Sequence, residues 1–192
     1  MKKISALLVL FLIVSVCSST QAQKLKSFGL KGVWELGGSI FYTNSTPVSD
    51  GVTGNSISTF QIQPVAGYFI HKSIEIGIQP NITTSSSNGS SFTTMGLYLA
   101  PAYNFILKGK VYPAIVALVG YTSTSFSSSG GTSTSASGFS WGGEAGVKIN
   151  LLGNSLLFVG LQYLQVTNNP SGAASRNGQN VFTLGAGWNV FF

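Results

Sequence analysis

Residues 181–192, VFTLGAGWNVFF, end the chain on an aromatic and decide how the rest is read. From Phe182 every second residue is apolar: Phe182, Leu184, Ala186, Trp188, Val190 and Phe192. Between them stand Thr183, Gly185, Gly187 and Asn189, all small or polar. A period of two puts one set on one face of a β-strand and the other set on the opposite face. A tilted strand needs about 9–11 residues to cross a bilayer. This stretch has that length and one unbroken apolar face.

The pattern repeats backwards along the chain. Strands are expected over about 30–43, 58–70, 73–83, 93–106, 111–122, 139–151 and 156–166, with the end of the chain as the eighth. The alternation is cleanest in the third, where Ile74, Ile76, Ile78, Pro80 and Ile82 interleave with Ser73, Glu75, Gly77, Gln79, Asn81 and Thr83. The fifth and seventh are apolar on both parities. For the seventh, Val159, Leu161 and Tyr163 are taken as the lipid side.

Connections fall into two alternating kinds. Short turns are expected at 71–72, 108–109 and 153–154, and long Ser/Thr/Gly/Asn-rich segments at 44–57, 84–92, 123–138 and 167–179. Turn-short, loop-long alternation with an even strand count is how transmembrane barrels are built, short turns inside and long loops outside. A strand in lipid has every backbone N–H and C=O paired when its sheet closes on itself. The fold class is therefore all-β, an eight-stranded antiparallel up-and-down transmembrane barrel with both termini in the periplasm.

Residues 1–22 look like an export signal. Lys2 and Lys3 form a charged start, Ala6 to Val16 an apolar stretch, and Thr20, Gln21 and Ala22 a small-residue cleavage site. The chain then divides into a signal peptide, 1–22, and one domain, the barrel 23–192. Cleavage after Ala22 removes Cys17, so the mature barrel has no thiol chemistry. Losing Lys2 and Lys3 lowers the net charge from +6 to +4, and the remaining basic residues are dispersed, which argues against nucleic acid. A soluble barrel needs a charged exterior, yet only 7% of residues are charged.

On this strand pattern, loop asymmetry and terminal Phe192, the chain resembles the small eight-stranded outer-membrane β-barrel family of the opacity-porin and OmpA/OmpX type. The resemblance implies residence in the Gram-negative cell outer membrane, contact with outer-membrane lipids, and passage through the barrel-assembly machinery. Trp188, Val190 and Phe192 resemble the signal which that machinery reads. A monomer with loops available to an extracellular ligand is expected. Parity assigns the lipid-facing aromatics as Trp34, Tyr42, Tyr68, Tyr103, Phe105, Trp141, Trp188 and Phe192. It turns Lys31, Glu35, Gln61, Gln63, Glu75, Gln79, Asn104, Glu144, Lys148 and Asn189 into a lumen that side chains nearly fill. Charges there must pair, because an unpaired buried ion costs several kcal/mol.

Pro64, Pro80, Pro101 and Pro113 cannot donate to a ladder, so bulges or missing bonds are expected at them. The hairpin register brings Pro64 near Pro80. Catalysis is not expected. Lipid A deacylases and palmitoyltransferases, small barrels that are enzymes, need a histidine near the outer leaflet, and the single histidine, His71, falls at the turn end. One His, four carboxylates and no mature Cys give no metal or cofactor site. The expected role is structural or surface-interactive. A small porin-like pore or a lipid-handling, lipid A-modifying barrel stands as the alternative.

Overall fold

The alternating strands close on themselves. In the computed structural model, the described residues are 27–45, 48–49, 52–53, 57–87, 90–127, 133–167 and 178–192. The leader expected at 1–22 lies outside them. Along the chain run β1 (Trp34–Ser45), β2 (Val48–Ser49), β3 (Val52–Thr53), β4 (Ile57–His71), β5 (Ile74–Ser87), β6 (Ser90–Asn104), β7 (Val111–Ser127), β8 (Ser133–Leu152), β9 (Ser155–Thr167) and β10 (Gly178–Phe191). Strands β2 and β3 form a small hairpin inside the first long connection. The other eight form one closed barrel in which each pairs antiparallel with its neighbours in sequence, and β1 returns to β10.

The two faces follow the period-two pattern. Outward stand Ile74, Ile76, Ile78 and Ile82 on β5, and Met95, Leu97 and Leu99 on β6. The ambiguous strands are oriented too: Val111, Ile115, Val119 and Tyr121 face out from β7, and Val159, Leu161 and Tyr163 from β9. Aromatics cluster near the turn end, where Trp34 stacks on Tyr68 at 4.8 Å and Tyr103 meets Phe105 at 4.8 Å. A second exposed set, Tyr121, Phe139 and Phe182, stands toward the loop end. Such paired girdles bracket the lipid belt of a membrane barrel.

Several expected boundaries moved. The strand expected from residue 30 begins at Trp34, because residues 28–32 fold into turns across the barrel mouth. The turn expected at 71–72 sits one residue later, with Ser73 at φ 70°. A register shift between Phe69 and His71 absorbs the extra residue. Much of 84–92 and 123–138 is strand, since β5, β6, β7 and β8 run on as Ser/Thr-rich hairpins. Polar composition suggested loop there. Cross-strand pairing with no lipid-facing requirement produces the same composition.

The prolines act by omission. Between β4 and β5 the ladder passes from Ile62↔Ile82 to Ala66↔Ile78 in unchanged register, skipping the positions where Pro64 and Pro80 would oppose each other. Between β6 and β7 it skips from Leu99↔Val119 to Ala102↔Val116, again in register, at Pro101. These are missing bonds rather than bulges. Pro113 stays paired with Val147, and its carbonyl accepts the Phe105 N–H at 2.8 Å.

Candidate functional site

In the turn-end part of the barrel, charges from different walls meet. Lys148 of β8 reaches across to Glu35 of β1 at 2.8 Å and to Glu75 of β5 at 3.3 Å. Each carboxylate has a second donor: Asn189 of β10 gives a 2.6 Å hydrogen bond to Glu35, and Asn104 of β6 a 2.9 Å bond to Glu75. A neutral relay lies beside them, with Gln63 donating to Gln162 at 2.8 Å and Gln162 to Glu144 at 3.0 Å. Seven strands thus contribute to this polar layer.

Glycines clear the space for it. A Cβ at Gly67 would overlap the Glu75 carboxylate, and one at Gly37 would overlap the Asn189 amide oxygen. Alternation alone would permit any small residue there. The close approach requires hydrogen in place of a methyl.

Toward the turns, an apolar stopper covers this layer. Phe28, from the turn ahead of β1, packs on Phe69 at 5.2 Å, Tyr112 at 4.9 Å and Phe191 at 5.5 Å between ring centres. Val33 and Leu156 complete a buried cluster. The Phe28 ring also lies 5.3 Å from the Lys148 ammonium, within cation–π range. The stopper and the ion pair are therefore one continuous obstruction. Beside the charges, the remaining space is small, about 40 Å³.

Toward the loops the lumen changes character. A second apolar layer, Tyr98, Leu118, Leu164 and Val166 among it, floors a cavity of about 430 Å³. Its walls carry hydroxyls that pair between strands: Thr94 with Thr124 at 2.8 Å, Thr59 with Ser85 at 2.8 Å and Thr122 with Ser140 at 2.7 Å.

Set against the sequence expectations, Glu35, Gln61, Gln63, Glu75, Gln79, Asn104, Lys148 and Asn189 are buried and Glu144 is half-buried. Lys31 is a correction: it is exposed in the turn ahead of β1, because the strand starts four residues later than its parity assumed. Among the described residues the lumen layer then holds one cation, Lys148, against Glu35, Glu75 and Glu144. Of the aromatics assigned outward, Trp34, Tyr103, Phe105, Trp141 and Trp188 are exposed, and Tyr68 and Phe192 are partly covered. The side chain of Tyr42 lies outside those described. Sequence reading missed the stopper. Phe69, Tyr112 and Phe191 break the polar parity near strand ends, a readable signal, whereas Phe28 precedes any strand and gave none.

A lipid-faced, closed barrel whose lumen is obstructed at the turn end is the architecture of one class of envelope protein, and residues 8–191 match the family described as outer membrane protein beta-barrel domain. The chain belongs to that family. Its fold is similar to Neisserial surface protein A, with a TM-score of 0.60 at 18% identity, over 83% of this chain and 97% of that one. It is similar to Ail, the attachment invasion locus protein of Yersinia pestis, with a TM-score of 0.54 at 15% identity, over 85% and 100%. It is also similar to the outer membrane protein OprG of Pseudomonas aeruginosa, with a TM-score of 0.53 at 12% identity, over 88% and 99%. No curated protein matches by sequence. This family member resides in the Gram-negative outer membrane, in contact with its lipids, as a structural or surface barrel. Among the described residues no group of three or more His, Cys, Asp or Glu is placed to hold a metal.

Proposed function

We propose that this outer-membrane barrel is a sealed wall element that presents its loops at the cell surface, without conduction or catalysis. The observation that carries the reading is the double obstruction at the turn end, where the Phe28 cluster lies directly on the Glu35–Lys148–Glu75 ion pairs. On this reading the obstruction stops water and solutes. His71 hydrogen-bonds the carbonyl of Lys72 at 3.3 Å in the exposed turn, away from any carboxylate-rich pocket.

On this reading the short turns face the periplasm and the long hairpins face outside, where they meet an extracellular ligand. That Neisserial surface protein A is named for the surface supports the assignment. Trp188, Val190 and Phe192 present the assembly signal from the outward face of β10, and the barrel works as a monomer. Planar-bilayer recordings test the seal. The purified barrel should show no sustained ohmic conductance, and steady channels in the unmodified protein would replace this reading with the small-pore alternative.

A further inference from the structure

The ladder that closes the barrel is incomplete. Strands β1 and β10 pair from Trp34 and Phe192, which exchange backbone hydrogen bonds of 2.9 and 3.0 Å, up to Ser39↔Gly187. There the described pairing stops, although both strands continue. Beyond Ser39, β1 stays paired with β4 as far as Ser45↔Ile57. Below Gly187, β10 stays paired with β9 as far as Gly178↔Thr167. Toward the loops the first and last strands therefore diverge, and the wall has a seam.

This seam lies within the lipid belt. It starts above Trp188 of the turn-side girdle and passes Leu184 before it reaches Phe182 of the loop-side set. Leu184 and Phe182 are each 69% exposed. Their β9 partners Leu161 and Tyr163 also face outward. Backbone groups left unpaired in hydrocarbon cost several kcal/mol each, and interrupted backbone at membrane depth is tolerated where it lines a cavity. A cavity is present at this place. The 430 Å³ space is bounded by inward-facing Val181 and Thr183 and also by outward-facing Leu184 and Phe182. It therefore wraps around the side of β10 where no strand pairing is described, instead of ending at it.

The lining identifies what fits. Among the described residues it includes no Asp, Glu, Lys or Arg. Leu164, Val166 and Val181 make an apolar strip on the β9–β10 wall next to the seam, Tyr98 reaches in from β6 on the far wall, and Thr59, Gln61, Asn81 and Thr83 of β4 and β5 supply neutral hydrogen-bonding groups. The volume lies within the ~300–1,000 Å³ of ordinary small-molecule sites. We propose that the gap between β1 and β10 is a lateral port through which an acyl chain of a surrounding lipid enters the loop-end cavity. The chain lies along Leu164, Val166 and Tyr98, and an uncharged ester or hydroxyl pairs with the seam. The ion-paired layer beneath makes the cavity a dead end, so this is a binding site and not a conduit. The port goes beyond the sealed-barrel reading and does not depend on it, since conductance and lipid access are read separately.

The test uses the full barrel in nanodiscs of phosphatidylcholine, doped with phosphatidylcholine carrying a diazirine near the end of one acyl chain. After irradiation, mass spectrometry locates the attached residues. Labelling of inward-facing Leu164, Val166 or Tyr98, alongside outward Leu184, is expected; labelling confined to outward residues would overturn the port. A disulfide between Ile40→Cys and Ala186→Cys, where the register would continue, should abolish lumen labelling and spare Leu184. Persistent lumen labelling in the oxidised variant would mean that the chain arrives through the loops, and the port would be wrong. Leu164→Trp, which fills the cavity without touching the seam, should likewise remove lumen labelling; if labelling of Val166 and Tyr98 continued unchanged, the proposed seat would be refuted.

Discussion

The two halves of the barrel are made from the same eight strands and do opposite things with their interiors. At the turn end, the first and last strands are laced together, Phe28 is folded into the mouth, and Lys148 ties β8 to β1 and β5. At the loop end, lacing stops at Ser39↔Gly187 and the interior opens into a cavity with hydroxyl-bearing walls. Closing a sheet and filling it are thus separate tasks. Backbone pairing closes the wall, whereas long side chains reaching across the axis fill the space, and this sequence supplies both at one end alone.

The contrast predicts where substitutions hurt. The largest effect is expected at Lys148. Lys148→Met leaves Glu35 and Glu75 buried without their cation, and breaking a buried pair in this way costs about 3–5 kcal/mol. Urea unfolding in lipid vesicles, followed by Trp fluorescence, should show that loss. A change below about 1 kcal/mol, the range of an exposed pair, would mean that the ion pairs do not hold the turn end together.

Deleting Phe192 should come next. It removes the last ladder contact with Trp34 and a partly covered ring; full burial of such a side chain is worth about 1.5–3 kcal/mol. The deleted protein should therefore still refold in detergent as a heat-modifiable band. In cells its outer-membrane level should fall sharply if, as proposed, Phe192 belongs to the assembly signal. Unchanged membrane levels would remove the assembly role, and failure to refold would make Phe192 a structural clasp.

The smallest effect belongs to the loop end. Thr122→Val keeps the side-chain shape but takes away the hydroxyl 2.7 Å from Ser140, a loss of about 1 kcal/mol. The same unfolding assay should place it well below Lys148→Met. Equal losses would dissolve the distinction between the halves.

Much of this architecture was legible before any coordinates. Strict alternation in 74–82 and 182–192 gave the wall, because a lipid-facing position rejects charge and a lumen-facing one accepts it. Glu35, Glu75 and Lys148 were legible as lumen residues by the same parity. Their partnership was not, since which of several charges meet across a barrel depends on strand tilt and stagger. Lys31 shows the limit of parity: the count was extended past the point where the strand begins. Phe28 and the seam share another cause. One lies ahead of the first strand and the other is a missing pairing, and neither leaves a periodic trace.

Amide hydrogen exchange along β10, read residue by residue by NMR in nanodiscs, tests the division most directly. From Gly187 to Phe191, where β10 is paired on both sides, every amide should exchange slowly. From Val181 to Ala186, where the described partner is β9 alone, slow and fast amides should alternate, because every second N–H points toward the seam. Uniformly slow exchange from Val181 to Phe191 would show that β1 and β10 are laced along their whole length, and the open half of the barrel would not exist.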